Sequence, residues 1–200
     1  MKKILIIASL AMPFAVQAST VSLSTSRTGA AAFLADGTTL AGTGNLIRVG
    51  MISNLADPVG SFVEFGTGAT RTIITATSKI TGSVTSPIAE SQHTQFDNKT
   101  LYIWVYNSPN ALTASQQGIF ASNKAFPVND VAGVGDDVLV TSATDFVGVV
   151  EIPGWVPAQI VTGDAANNPK FVLGGVIPEP TSTTLSGLVA LGFLARRKRA

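Results

Sequence analysis

Apolar residues fall in three patterns along this chain. A continuous run, Ile4 to Ala11, follows Lys2 and Lys3 near the N-terminus. A second run, rich in Leu, Gly, Val and Ala, spans Thr181 to Ala195 and ends in Arg196-Arg197-Lys198-Arg199. Between them the apolar positions come in short bursts of Val, Ile, Thr and aromatic residues, bounded by Gly, Pro, Asn and Asp. Bursts of that length and composition read as β-strands, and the 3.6-residue period of an amphipathic helix is hard to find. Strands are expected near 21–24, 30–35, 46–52, 61–65, 71–77, 80–85, 100–106, 118–121, 137–141, 145–150, 159–162 and 171–176. Turn signals separate them: Asp36-Gly37, Asp57-Pro58, Ser108-Pro109-Asn110, Pro153-Gly154 and Asn168-Pro169. The spacing predicts an all-β fold, a single β-sandwich or jelly-roll-like domain. One stretch departs from it. Residues 111–117 (Ala-Leu-Thr-Ala-Ser-Gln-Gln) read as two helical turns ended by Gly118. No repeat recurs at a fixed period, which argues against a solenoid or propeller.

The two outer runs read as addresses. Lys2 and Lys3, the apolar run, Pro13, and then Ala15-Val16-Gln17-Ala18 make a secretory signal peptide over residues 1–18. Signal peptidase needs small side chains just before the bond it cuts. Here Val16 and Ala18 occupy the −3 and −1 places of a cut between Ala18 and Ser19. The β-rich domain then covers 19–177, outside the cytoplasm.

At the other end, Pro178-Glu179-Pro180 precedes the uncharged stretch. Proline removes a backbone donor and disfavours helix in the residue before it, so this segment stays extended and accessible. A helix over Thr181–Ala195 would be roughly 22 Å long, short of the roughly 30 Å hydrocarbon core of a bilayer. The basic cluster Arg196, Arg197, Lys198 and Arg199 acts as a stop-transfer signal. Together residues 178–200 form a short, marginal transmembrane anchor beside an extended motif, an arrangement suited to transient retention followed by cutting.

That tail closely resembles the PEP-CTERM sorting signal, through Pro178, Glu179, Pro180, the hydroxyl of Thr181, the apolar run Leu185–Leu194 and the basic end. The resemblance implies recognition and cutting by an exosortase, an integral membrane enzyme of Gram-negative bacteria. It implies export across the inner membrane and delivery to the cell surface or extracellular matrix. It covers only the tail. Within the body, Gly44-Asn45-Leu46-Ile47-Arg48-Val49-Gly50, Leu101 to Asn107 and Gly118-Ile119-Phe120 are loosely similar to uncharacterised secreted proteins that carry the same tail. That likeness implies no activity.

Composition sharpens the picture by compartment. Over the whole chain 46% of residues are hydrophobic and 12% charged, too apolar and too weakly charged for disorder. The net charge is +1, but both ends are basic. Residues 19–177 hold seven basic residues against eleven acidic ones, a net charge of −4. An acidic domain repels nucleic acid. With no cysteine there is no disulfide framework, thiolate metal site or thiol nucleophile, and a single histidine excludes a multi-histidine metal site within the chain.

Candidate chemistry is sparse. Tyr102, Trp104 and Tyr106 share one face of a strand, with Leu101, Ile103 and Val105 on the other. Two readings follow: an aromatic platform that stacks on sugar rings, or a central strand buried on both faces. His93 is the one residue a Ser-His-Asp set could use, and no Gly-x-Ser-x-Gly elbow accompanies it. Glu64, Glu90 and Glu151 are spread singly, whereas a glycan hydrolase needs two carboxylates across a cleft. Asp130, Asp136 and Asp137 are the positions a calcium ion would use, although their spacing matches no EF-hand. Asn98-Lys99-Thr100 is formally a glycosylation sequon. Trp155, between Pro153-Gly154 and Pro157, is expected on a loop. The sequence thus predicts no cofactor and no enzyme. It predicts a secreted structural or adhesive protein of the cell envelope or extracellular polysaccharide matrix, with a carbohydrate-binding module as the alternative.

Overall fold

The computed structural model describes residues 20–24, 31–66, 72–74, 80–85, 94–126, 137–140, 145–163 and 169–176. They form thirteen strands. These are β1 (Thr20–Ser24), β2 (Ala31–Phe33), β3 (Leu46–Ile52), β4 (Phe62–Glu64), β5 (Thr72–Ile74), β6 (Ile80–Thr85) and β7 (Thr100–Tyr106). The rest are β8 (Gln116–Ala125), β9 (Asp137–Val140), β10 (Phe146–Val150), β11 (Gln159–Val161), β12 (Lys170–Val172) and β13 (Gly174–Gly175). The chain is all-β, as its apolar bursts indicate. Two single 3-10 turns, Thr94–Phe96 and Ala111–Thr113, lie wholly within the described residues. The expected signal peptide and C-terminal helix lie outside the described residues. Among the described residues no helix is long and apolar enough to cross a membrane.

A ten-stranded sheet runs in the order β10-β8-β7-β3-β5-β6-β1-β9. Strand β4 shares an edge of β3 with β5, and β13 shares an edge of β8 with β10. Pairing is antiparallel except between β1 and β9. Strand β9 comes back near β8, although five strands separate the two in the sheet order, so the sheet curls round. A second sheet, β11-β12-β2, packs Ala32, Ile160 and Phe171 into the main core, and Ala31, Phe33 and Val172 form a small cluster of their own. Chain segment 170–175 joins the two: β12 pairs with β2, Leu173 N–H donates to Phe33 O at 2.9 Å, and β13 crosses to β8.

Alternation along β7 decides where the cores lie. Leu101, Ile103 and Val105 face the main core, with Ile47, Val49, Phe120, Phe126 and Phe171. Tyr102, Trp104 and Tyr106 face the other way and are also buried, in a second cluster with Leu46, Ile119 and Ile152. A strand apolar on both faces needs cover on both. The outer cover comes from Phe62, Ala111, Ala114 and the Ile152–Trp155 segment. Each fully buried side chain of this kind contributes roughly 1.5–3 kcal/mol.

Two expectations are corrected. Residues 111–117 do not make two helical turns. Asn110 Oδ1 caps Leu112 N–H at 3.0 Å, and the turn stops after Thr113. Asn107 Oδ1 then accepts from Ser115 and Gln116 N–H at 3.1 Å each, which turns the chain into β8. Gln117 pairs with Tyr106, and Gly118 sits inside the strand. Ladder bonds of a long hairpin outweigh the weak helix preference of the segment. The strand expected at 171–176 is two strands in different sheets, divided at Leu173.

At that division Gly174 is required by space. A Cβ there would collide with Val156 O and lie 3.1 Å from Ala158 N, both backbone atoms. Gly174→Ala therefore has to push the strap formed by residues 152–158 off the sheet. The expected loss is about 1–3 kcal/mol or more, read as a lower urea midpoint. An unchanged midpoint would show that the strap yields freely.

The 34–40 turn is held by Asp36. Its Oδ1 accepts from Thr38 N–H at 2.8 Å and Thr39 N–H at 2.7 Å, and its Oδ2 accepts from the Thr39 hydroxyl at 2.5 Å. The hydroxyl bond chiefly, then the backbone ones, lower its pKa from 3.8 to about 2. A folded-state pKa below the unfolded value adds stability that is present above pH 3.8 and is lost as pH falls through about 2. Chemical shifts of Thr38 and Thr39 amides should therefore hold steady down to about pH 3 and move together near pH 2. Movement near pH 4 would remove the role given to Thr39.

Candidate functional site

The outer face of β7 is not sealed along its whole length. Beside Trp104 and Tyr106 lies an open groove of about 600 Å³. Trp104, Tyr106 and Gln117 form its floor, from the β7–β8 hairpin. One wall is Ala111, Leu112 and Ala114, the turn between those strands. Ile152, Pro153 and Trp155 make another, and Asp57 with Val59 a third. Several rim side chains are strongly exposed, Leu112 at 94% and Val59 at 47%.

Local geometry explains each wall. Gly154 takes φ +79°, which lets the chain reverse so that Trp155 N–H donates to Ile152 O at 3.1 Å. Trp155 bridges to Val176, and Val156 N–H donates to Gly175 O at 2.8 Å, fixing the strap on the end of the sheet. In the Asp57 turn, Gly60 N–H donates to Asp57 Oδ1 at 3.0 Å and Ser61 Oγ donates to Asp57 O at 2.6 Å.

The floor is a connected set. Arg48, opposite Trp104 in the β3–β7 ladder, gives Nε and Nη2 to Glu64 Oε2 at 3.0 Å each. Its Nη1 donates to Tyr106 Oη at 3.3 Å. The guanidinium carbon lies 4.8 Å from the Phe62 ring centre and 5.3 Å from that of Trp104. Burial opposes the charge on Arg48, but the Tyr106 hydroxyl and Glu64 outweigh it and raise the pKa. The group is a fixed cation with its countercharge beside it. Trp104 stacks on Tyr106 at 5.2 Å and 21°, and meets Phe62 edge-on at 5.1 Å and 70°. Its Nε1 donates to Gln117 Oε1 at 3.0 Å.

Of the three aromatics singled out in the sequence, Trp104 and Tyr106 thus line the groove, whereas Tyr102 is buried away from it. They do not present a flat open face, because the strap and the 111–114 turn cover most of it. Trp155 lies, as expected, on the loop between β10 and β11, where it is half-buried and bridged to Val176. Sequence reading missed Arg48, Gln117 and Trp155 as groove residues. A lone arginine inside Leu46-Ile47-Arg48-Val49 was the available signal for the first.

His93, Glu90, Asp130 and Asp136 lie outside the described residues. Asp137 heads β9. Glu64 is held by Arg48, and Glu151 is exposed. Among the groove-lining residues the single carboxylate is Asp57. Among the described residues no three Asp, Glu, His or Cys side chains are grouped to hold a metal ion. Asn98 of the sequon takes φ +56° in the turn after Thr94–Phe96. Ala18, Ser19, Pro178, Glu179, Pro180, Thr181 and Arg196 to Arg199 fall outside the described residues.

No match is found among curated proteins or among solved structures. One family does match: the PEP-CTERM protein-sorting motif, over residues 176–199. It starts where the described fold stops, at the Val176 bridge to Trp155. The motif implies an exported protein that an exosortase processes, bound for the envelope or surface of a Gram-negative cell. By this match the chain carries the PEP-CTERM protein-sorting motif at its C-terminal end, and its β-rich body is the cargo.

Proposed function

We propose that the protein is a non-enzymatic structural or adhesive component of the cell envelope or extracellular polysaccharide matrix. Signal peptidase would cut between Ala18 and Ser19. The short C-terminal helix would then hold the domain at the membrane until the exosortase cuts near Pro178–Pro180. The observation that carries this reading is the sorting motif joined directly to the β domain: Pro178 stands two positions after Val176, the last bridged residue. A domain so tethered is released from the membrane only by cutting.

Replacing Pro178, Glu179 and Pro180 by alanine together tests the reading. The altered protein should stay in the membrane fraction, and the native protein should be found in the surface and matrix fractions. Equal partition of the two would contradict it.

A further inference from the structure

The floor of the groove holds a buried amide with donors to spare. Gln117 is 8% exposed and lines the groove. Indole Nε1 can only donate, so the atom of Gln117 that meets Trp104 must be the carbonyl oxygen. Its Nε2, with two N–H groups, has no protein partner among the described residues. A buried amide donor without an acceptor is costly, which makes its position at the foot of an open groove informative. Around it stand apolar surfaces from Trp104, Trp155, Pro153 and Leu112. Asp57 at the rim adds an acceptor.

We propose that this groove binds a short stretch of a neutral polysaccharide. The proposal rests on the matrix reading above and names the ligand class. Sugar rings offer C–H faces to aromatic walls and hydroxyls that both donate and accept. One such ligand satisfies Gln117 Nε2 as acceptor and Asp57 as donor. A proline-rich peptide offers carbonyl acceptors only and would set them against Asp57. An anionic polymer finds no free charge, because Arg48 is already neutralised by Glu64 at 3.0 Å. The groove volume, about 600 Å³, lies within the range of small-ligand clefts.

Calorimetric titration of the mature exported protein with cellotriose, maltotriose, chitotriose and a hexaproline peptide tests this. At least one trisaccharide should saturate with a Kd below about 10 mM, in the weak range expected of a shallow site. Gln117→Glu keeps the acceptor for Trp104 and removes both donors; Trp155→Ala removes a wall. Each should weaken binding about tenfold or more, with the thermal midpoint of at least one variant retained. The two changes act at different points of the groove, so either one folding normally decides the matter. Saturation by none of the sugars, tighter binding of hexaproline, or normal sugar affinity in a folded variant would overturn the proposal. The titration uses purified protein, so its failure is separate from a failure of sorting.

Discussion

Trp104→Ala should destabilise the domain by about 3–5 kcal/mol, the usual range for removing a buried large aromatic side chain. The indole is 4% exposed and packs in the outer cluster. Its removal leaves a cavity between Phe62 and Tyr106, uncovers the Arg48 guanidinium and orphans Gln117 Oε1. Domains of this size are stable by about 5–15 kcal/mol in total, so this one change uses a large share. Trp104→Phe separates the causes. It keeps most of the ring and loses the N–H, and leaving the buried Gln117 carbonyl unpaired should cost about 1–3 kcal/mol. Urea unfolding reads both through the midpoint at unchanged slope. An alanine variant within about 1 kcal/mol of the native protein would mean that the strap and the 111–114 turn do not cover β7 in solution.

Much of this fold can be read from the residues, for a physical reason. Strands whose alternation is local, such as Leu46–Ile52, Ile80–Thr85 and Thr100–Tyr106, coincide with their apolar bursts. Where tertiary contacts decide, the pattern is silent. Gln116 and Gln117 are polar and look like helix or loop, yet the hairpin ladder recruits them, and Gln117 becomes the buried amide of the groove. The split at Leu173 depends on Phe33 O, some 140 residues earlier in the chain, which no local window contains. Residues of the groove come from β3, β7, β8, the 57–59 and 111–114 turns and the strap, so only the two β7 aromatics announced themselves. The sorting tail is the opposite case. Its information is linear, a motif read by an enzyme, and it needs no fold to be legible.

Processing at that tail should change the fate of the protein more than any substitution in the body. A helix over Thr181–Ala195 would be roughly 22 Å long and would anchor only marginally in a bilayer core of roughly 30 Å. On the proposed reading, the four basic residues that close it would keep the end on the cytoplasmic side. On that reading, an uncut domain would stay at the inner membrane. A cut there would remove the basic end, and the body over residues 19–177 carries a net charge of −4. Alanine at Pro178, Glu179 and Pro180 should therefore block release almost completely while leaving the urea midpoint of the body unchanged. A midpoint shift would instead tie the motif to the fold.

Both cuts leave their mark on the mass of the mature chain. Intact-mass spectrometry of the protein recovered from the cell surface or matrix tests them directly. The predicted mass is that of a chain beginning at Ser19 and ending near Pro178–Pro180. A mass that still includes Arg196–Arg199 would contradict it.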